Sequence, residues 1–268
     1  VSTTGSRIAA VIPAKNEEQR IAATVAAVRD LPHVATVIVV DDGSTDRTGE
    51  YAAAAGAIVV RHERNRGKAA ALESGVNALG VIEQRDGRPE AGILLFLDAD
   101  LGATAANAAP LIGPVVAGDA ALAIGVLPAQ ITEDGSPAGG MGLVVTTARR
   151  GIAELCGFQT RAPLSGQRCL TRRAFELASP LAAGWGVEVG MTIDIVRAGL
   201  TVQEIDVDLG HRATANDLSG QLHRARQLAD VTRALTARGM IARAGSKARD
   251  ELTGQSAVSG LLQRFRQR

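Results

Sequence analysis

The sequence predicts an α/β fold: a Rossmann-like, mostly parallel sheet flanked by helices, with a C-terminal helical tail. Three observations carry this. Short β-branched runs alternate with longer stretches of helical period through the first hundred residues. The runs are almost unbroken in apolar character, as strands covered on both faces of a sheet must be. Acid-rich polar clusters follow the runs, at the strand ends where α/β sheets bind their ligands. A chain of 268 residues, 46% hydrophobic and 21% charged, is long enough to bury such a core without disulfides or a structural metal.

Each element follows from its local pattern. Residues 8–12 are a β-branched run closed by Pro13, and residues 17–30 repeat at Ile21, Thr24/Val25 and Val28, a strand and then a helix. Residues 37–40 form a second buried strand, closed by Asp41, Asp42, Gly43 and Ser44. Residues 45–55 read as a helix ending at Gly56, with Ser44 or Thr45 as its cap. Residues 57–60 are a third strand, 68–79 a helix, 85–92 a polar turn, and 93–97 an apolar strand ending at Asp98. Beyond Leu101, residues 105–116 read as a helix, 120–126 as a strand, 132–142 as a Gly/Pro-rich loop and 144–156 as a helix. Residues 161–168 turn into a short strand. In 201–209, Val202, Ile205, Val207 and Leu209 alternate imperfectly with Glu204, Asp206 and Asp208, as in a half-exposed strand. Residues 218–235 place Leu218, Leu222, Leu228, Val231 and Leu235 at helical spacing, with Arg224, Arg226 and Arg233 off that stripe.

Composition narrows the function. Six aromatic residues leave little from which to build stacking platforms for single-stranded nucleic acid, and a net charge of +1 gives no general attraction to polyanions. No nucleic-acid partner is expected. The charge is uneven: residues 212–268 hold eleven Lys or Arg against four Asp or Glu, so an acidic body carries a basic tail. Cys156 and Cys169 have no cysteine or histidine neighbours at metal spacing and read as two reduced thiols. Residues 1–7 lack the pattern of a signal peptide, and the most apolar windows, 93–97 and 120–127, are too short to span a bilayer. The expected location is the cytoplasm, with the inner face of the membrane as an alternative should the acceptor be a lipid.

Three polar clusters converge on one sheet edge. Asp98-Ala99-Asp100 places two carboxylates one residue apart where a buried strand enters a loop, a pair suited to Mg2+ or Mn2+. The same pattern also serves as two turn-forming aspartates. Asp41 and Asp42 are adjacent acids at a strand end and need donors, which a nucleobase or ribose offers. Gly67-Lys68 opens a helix after a polar loop, so backbone N–H groups and an ammonium face an anion there; the glycine spacing of a Walker A loop is absent.

Taken in order, Ile12-Pro13-Ala14-Lys15-Asn16-Glu17-Glu18, Val39-Val40-Asp41-Asp42-Gly43-Ser44-Thr45-Asp46, Asn65-Arg66-Gly67-Lys68-Ala69-Ala70-Ala71-Leu72 and Phe96-Leu97-Asp98-Ala99-Asp100 resemble family 2 glycosyltransferases of the GT-A fold. Pro163-Leu164-Ser165-Gly166, Gly184-Trp185-Gly186-Val187-Glu188-Val189-Gly190 and Leu209-Gly210-His211-Arg212 extend the resemblance towards the bacterial glucosyl-3-phosphoglycerate synthases. It implies a catalytic domain over 1–211, split into a nucleotide-sugar half (1–101) and an acceptor half (102–211), and a basic helical tail over 212–268. It also implies a uridine diphosphate sugar donor. Pro13, Ala14 and Glu17 would line the uridine pocket, Asp42 would contact the base and Lys68 would lie near the diphosphate. Asp98, Ala99 and Asp100 would sit at ribose and metal. Asp100 and His211 are the implied metal ligands, an imidazole being a fitting nitrogen ligand for manganese; a surface histidine after a strand is the alternative. Glu188 faces the acceptor in the relatives, where a carboxylate deprotonates or orients a hydroxyl. A tight glycine turn with a solvated Glu188 is the other reading. His33, His62 and His223 receive no role.

The sequence departs from the phosphoglycerate enzymes in the loop after the metal motif and in Gln167-Arg168, which leaves the acceptor more open than the donor. Gly166, Arg168 and Arg212 are the candidate acceptor residues, with Arg161 beside them; solvated arginines are the alternative. The expectation is a metal-dependent hexosyltransferase, moving glucose from uridine diphosphate glucose to a small phosphorylated or carboxylated acceptor such as 3-phosphoglycerate. A polyprenyl phosphate acceptor is the runner-up, with the tail from Leu218 lying on the membrane as a basic amphipathic helix. A nucleotidyltransferase and a non-catalytic nucleotide-sugar binding protein are the readings of other classes, and a homodimer is a possible assembly.

Overall fold

A computed structural model of the chain describes residues 7–128, 142–210 and 218–240. Strands β1 (Ile8–Ala14), β2 (Val34–Asp41), β3 (Ile58–Arg61) and β4 (Ile93–Phe96) alternate with helices α1 (Ile21–Arg29), α2 (Thr48–Ala54) and α3 (Lys68–Arg85). A 3-10 stretch, Gly102–Leu111, leads into α4 (Ile112–Ala117) and β5 (Leu122–Val126). Then come α5 (Gly142–Cys156), β6 (Arg168–Thr171), α6 (Arg172–Ala178), α7 (Val187–Arg197), β7 (Val202–Asp206) and α8 (Leu218–Ala237).

Among the described residues the strands form one seven-stranded sheet in the order β3-β2-β1-β4-β6-β5-β7. Four of its pairings are parallel and the two made by β6 are antiparallel, so the sheet is mostly parallel as the sequence predicts. The period-2 alternation along the strands divides the core between the two faces. Ile8, Ala10, Ile12, Val37, Val39 and Leu95 meet Ile21, Val25 and Val28 of α1 and Leu111 on one side. On the other, Val11, Ile38, Val40, Leu94 and Phe96 meet Leu72, Val76 and Leu79 of α3, with Phe175, Met191 and Ile195. Removing this apolar surface from water is the main term holding the sheet between its helices.

Several local readings are corrected. The segment at 102–111 winds as a 3-10 helix with Pro110 inside it, and α-helical winding begins only at Ile112. Helices α6 and α7 were not legible as helices, α7 because glycines flank its start. Helix α2 begins at Thr48, not at residue 45, and neither Ser44 nor Thr45 caps it: Asp46 Oδ1 accepts the Thr48 N–H at 3.0 Å. The loop expected at 132–142 falls almost wholly outside the described residues.

Helix α8 packs on the body of the protein. Val231 and Leu235 are fully buried with Val144, Ala148 and Ile152 of α5 and Val189 and Ile193 of α7. This part of the apolar stripe, which the membrane reading of the tail assigned to lipid, is thus covered by protein. No helix among the described residues is long and apolar enough to cross a membrane.

Candidate active site

Strands β1, β2 and β4 are parallel, and β6 runs against β4 with Phe96 opposite Arg168, so three carboxyl ends and one amino end open on the same edge. The loops that follow β1, β2 and β4 meet there with the segment that precedes β6 and the first turn of α7.

The loops after β1 and β2 are stitched together by hydrogen bonds. Asn16 N–H donates to Ser44 Oγ (3.0 Å), Glu17 N–H to Thr48 Oγ1 (2.8 Å) and Glu18 N–H to Asp46 Oδ2 (3.2 Å). In return Thr45 N–H donates to Asn16 Oδ1 at 2.9 Å, with Asn16 in the left-handed backbone region that asparagine tolerates. The Ser-Thr-Asp run therefore serves the neighbouring loop, while the Asp42 N–H donates to the Ala14 carbonyl at 2.8 Å. Gly43 is required by proximity: its φ is +73°, and a Cβ there would lie 2.7 Å from the Arg64 carbonyl carbon.

Asp42 is buried, and the donors it needs come from the protein. Oδ1 accepts from Arg66 N–H (2.8 Å) and lies 2.7 Å from His62 Nδ1, while Oδ2 accepts from Gly67 N–H (2.8 Å). Burial alone would raise its pKa; the His62 hydrogen bond and the two N–H donors outweigh burial and hold the carboxyl below the ordinary aspartate value. His62, given no role from sequence, is thus part of the edge. Nothing local marks it, because its partners Asp42 and Ser74 come from the loop after β2 and from α3.

Lys68, the first residue of α3, stands at the centre. Its Nζ is 2.7 Å from Asp98 Oδ1 and 2.9 Å from Glu188 Oε1, so one ammonium bridges the acid motif after β4 and the carboxylate on α7. Burial works against the ammonium, but the Asp98 and Glu188 carboxylates outweigh it and hold the Lys68 pKa above lysine's ordinary value. Glu188 is 4% exposed, which overturns the reading of a solvated side chain in a glycine turn. Gln167 clamps Asp98 from the other side: its Oε1 accepts the Asp98 N–H (3.1 Å) and its Nε2 donates to Asp98 Oδ2 (2.5 Å). Gly166 lies against the same group, where a Cβ would collide with Lys68 Nζ and come within 2.8 Å of Asp98 Oδ1. Beneath Asp98-Ala99-Asp100, Thr24 of α1 donates to Ala99 C=O (2.9 Å) and accepts the Gly102 N–H (2.8 Å), fixing the turn that carries both acids.

Two carboxylates on one fixed turn are hard oxygen donors of the kind Mg2+ and Mn2+ take, together with substrate phosphate oxygens. Among the described residues no group of three His, Cys, Asp or Glu could hold an ion unaided. His211 and Arg212 lie outside the described residues. Arg168 is 1% exposed: Nε donates to Ser165 C=O (2.8 Å), Nη1 donates to Thr192 Oγ1 (3.0 Å), and Nη2 has no hydrogen-bond partner. Burial brings its pKa down to about 10 against the pull of Glu188 and Glu204, which leaves it charged at neutral pH. It lies under the site, not solvated at its surface. Arg161 is exposed and paired with Asp206 at 2.9 Å.

The model of the glycosyl transferase family 2 matches residues 9–142, half of the chain and the whole of the donor-side edge. The chain belongs to glycosyl transferase family 2. As a family 2 enzyme it is a glycosyltransferase that uses a nucleotide sugar. It is 31% identical over 252 residues to a glucosyl-3-phosphoglycerate synthase of Mycolicibacterium paratuberculosis, covering 85% of this chain and 68% of that one. Among solved structures it resembles the glucosyl-3-phosphoglycerate synthase of Mycobacterium tuberculosis in complex with Mg2+ and uridine diphosphate (TM-score 0.68, 29% identity, 88% of this chain and 80% of that one). The same enzyme in complex with Mn2+, uridine diphosphate glucose and phosphoglyceric acid gives a TM-score of 0.67 at 29% identity, with the same shares covered. These similarities bear out the GT-A fold expected from the sequence.

Proposed function

We propose that this glycosyltransferase moves glucose from uridine diphosphate glucose to 3-phosphoglycerate, releasing uridine diphosphate, in the cytoplasm. The observation that carries the reading is the Lys68 bridge, which brings a donor-side and an acceptor-side carboxylate onto one ammonium. The relatives named for this reaction, and the bound uridine diphosphate, metal and phosphoglyceric acid of the solved enzyme, support it.

In this reading Pro13, Ala14 and Glu17 line the uridine pocket beside Asp42, and Asp98 with Ala99 receives the ribose. Lys68, held between its two carboxylates at the start of α3, faces the diphosphate, where its positive charge opposes the charge that develops on the leaving group. Asp100, with His211, would hold Mg2+ or Mn2+, and that cation, when bound, makes the diphosphate a better leaving group. Glu188 orients the acceptor hydroxyl and takes up its proton if the reaction inverts. Gly166 leaves open the space beside Asp98 that any side chain would fill. Arg212 meets the acceptor's anionic groups, and Arg168 contributes its charge from beneath them.

Release of uridine diphosphate from uridine diphosphate glucose, with 3-phosphoglycerate and Mn2+, tests the reading. Turnover that requires the acceptor and disappears in Asp98→Ala is expected. Release of pyrophosphate in place of the nucleoside diphosphate would instead indicate nucleotidyl transfer, and folded protein with no acceptor-dependent release would remove the proposal.

A further inference from the structure

The loop from His62 to Lys68 leaves β3 and enters α3, and its conformation decides where the Lys68 ammonium stands. Arg64 and Asn65 of this loop pack on Gly43, while Gly67 has a φ of +89° and a Cβ there would meet nothing within 4 Å, so the end of the loop next to Lys68 relies on hydrogen bonds. Asp42 supplies them: its two oxygens take the N–H groups of Arg66 and Gly67, the two residues before Lys68, with Asn65 Oδ1 a second acceptor for the Gly67 N–H at 3.0 Å. Asp42 is held in turn by His62, 6% exposed, with Nδ1 2.7 Å from Asp42 Oδ1 and Nε2 2.9 Å from Ser74 Oγ. The ionised carboxylate only accepts, so the proton lies on Nδ1, and Nε2 faces the Ser74 hydroxyl. Ser74 lies on α3, six residues after Lys68. The imidazole therefore ties the end of β2 to the body of the helix whose first residue is Lys68, and the backbone bond from His62 N–H to Asp41 C=O (2.9 Å) fixes the ring's root on the same strand end.

We infer that His62 is a positioning residue: through Asp42 it fixes the backbone of Arg66 and Gly67 and hence the place of Lys68. The Lys68 ammonium must reach two carboxylates on two other elements at 2.7 and 2.9 Å, a geometry that a loop free to rock would lose. The consequence for donor affinity rests on the donor reading above; the hold on the loop does not.

The two amide analogues of histidine separate this role from ordinary packing. His62→Asn keeps an N–H near the place of Nδ1 and with it the bond to Asp42. His62→Gln reaches the place of Nε2 and Ser74 and gives up Asp42. Both lose the ring. Two readouts apply: amide hydrogen exchange at Arg66 and Gly67, and titration of uridine diphosphate in the presence of Mn2+. His62→Gln should exchange these two amides about tenfold faster and bind uridine diphosphate about tenfold more weakly, the size of one hydrogen bond to a charged group. His62→Asn should stay within about threefold of wild type in both, although its melting temperature falls as well. Asp42→Asn weakens the same acceptor and should give the same exchange change, which covers the case in which His62→Gln does not fold. Unchanged exchange in His62→Gln, or equal losses in the Gln and Asn variants, would overturn the inference. Wild type that binds no uridine diphosphate while the exchange pattern holds would refute the donor reading and leave the positioning role supported.

Discussion

Replacing Lys68 by methionine keeps the length and apolar stem of the side chain and removes the charge on which the site is built. Two carboxylates then face each other without a cation. Breaking a fully buried ion pair costs about 3–5 kcal/mol, whereas a surface pair is worth about 1 kcal/mol or less. The Lys68 side chain is 25% exposed, Asp98 35% and Glu188 4%, so this cluster lies between the two cases. A loss of about 2–3 kcal/mol is the expectation after solvent screening, or about 5–10 °C in melting temperature for a chain of this length. Turnover falls further than stability accounts for, on the order of 100-fold in kcat, because a charge aimed at the leaving diphosphate is gone. Thermal unfolding and steady-state kinetics measure both effects. A Lys68→Met protein that melts with wild type and turns over at the wild-type rate would refute the reasoning.

Other perturbations follow from the same geometry. Gly166→Ala pushes the flexible end of Lys68 aside without disturbing the sheet, so donor KM should rise at least severalfold while the melting temperature moves little, as kinetics and calorimetry would show. Leu235→Ala opens a cavity among α5, α7 and α8 and should cost about 2–5 kcal/mol by urea denaturation, confirming that α8 belongs to the folded body. The Asp42 carboxyl has its folded pKa depressed, so its contribution is present above the unfolded value of 3.8 and is lost as pH falls through the folded one. The stability gap between wild type and Asp42→Asn, measured in urea, should therefore close in acid below that value. Cys169 is fully buried with its thiol pKa pushed up to about 12 by burial, and should resist a thiol reagent until the protein unfolds.

How far the sequence could be read depended on where the determining partners lie. The strands β1, β2 and β4 and the acid motif after β4 were legible because their signal is local: an apolar run and the residues that end it. The cap of α2 was misread because Ser44 and Thr45, ordinary capping residues, are occupied by Asn16 on the neighbouring loop. Asp42 was expected to take donors from a ligand, and it takes them from His62, Arg66 and Gly67, which only the parallel pairing of β2 with β3 brings near. Thr24 was read as part of the apolar repeat of α1, and it holds the turn of the acid motif from 75 residues away. Glu188 could be singled out, but its burial depends on α7 being a helix, which glycines at its start conceal.

The claim on which the account stands is that the Asp98–Asp100 turn and Lys68 together form a metal-assisted uridine diphosphate sugar site. Isothermal titration of uridine diphosphate glucose with and without Mn2+, on wild type and on Asp100→Ala, tests it most directly. The account predicts binding to wild type that requires the metal and is lost in the variant. Folded wild-type protein that binds no uridine diphosphate sugar with either Mg2+ or Mn2+, or that binds equally well with Asp100 removed, would contradict it.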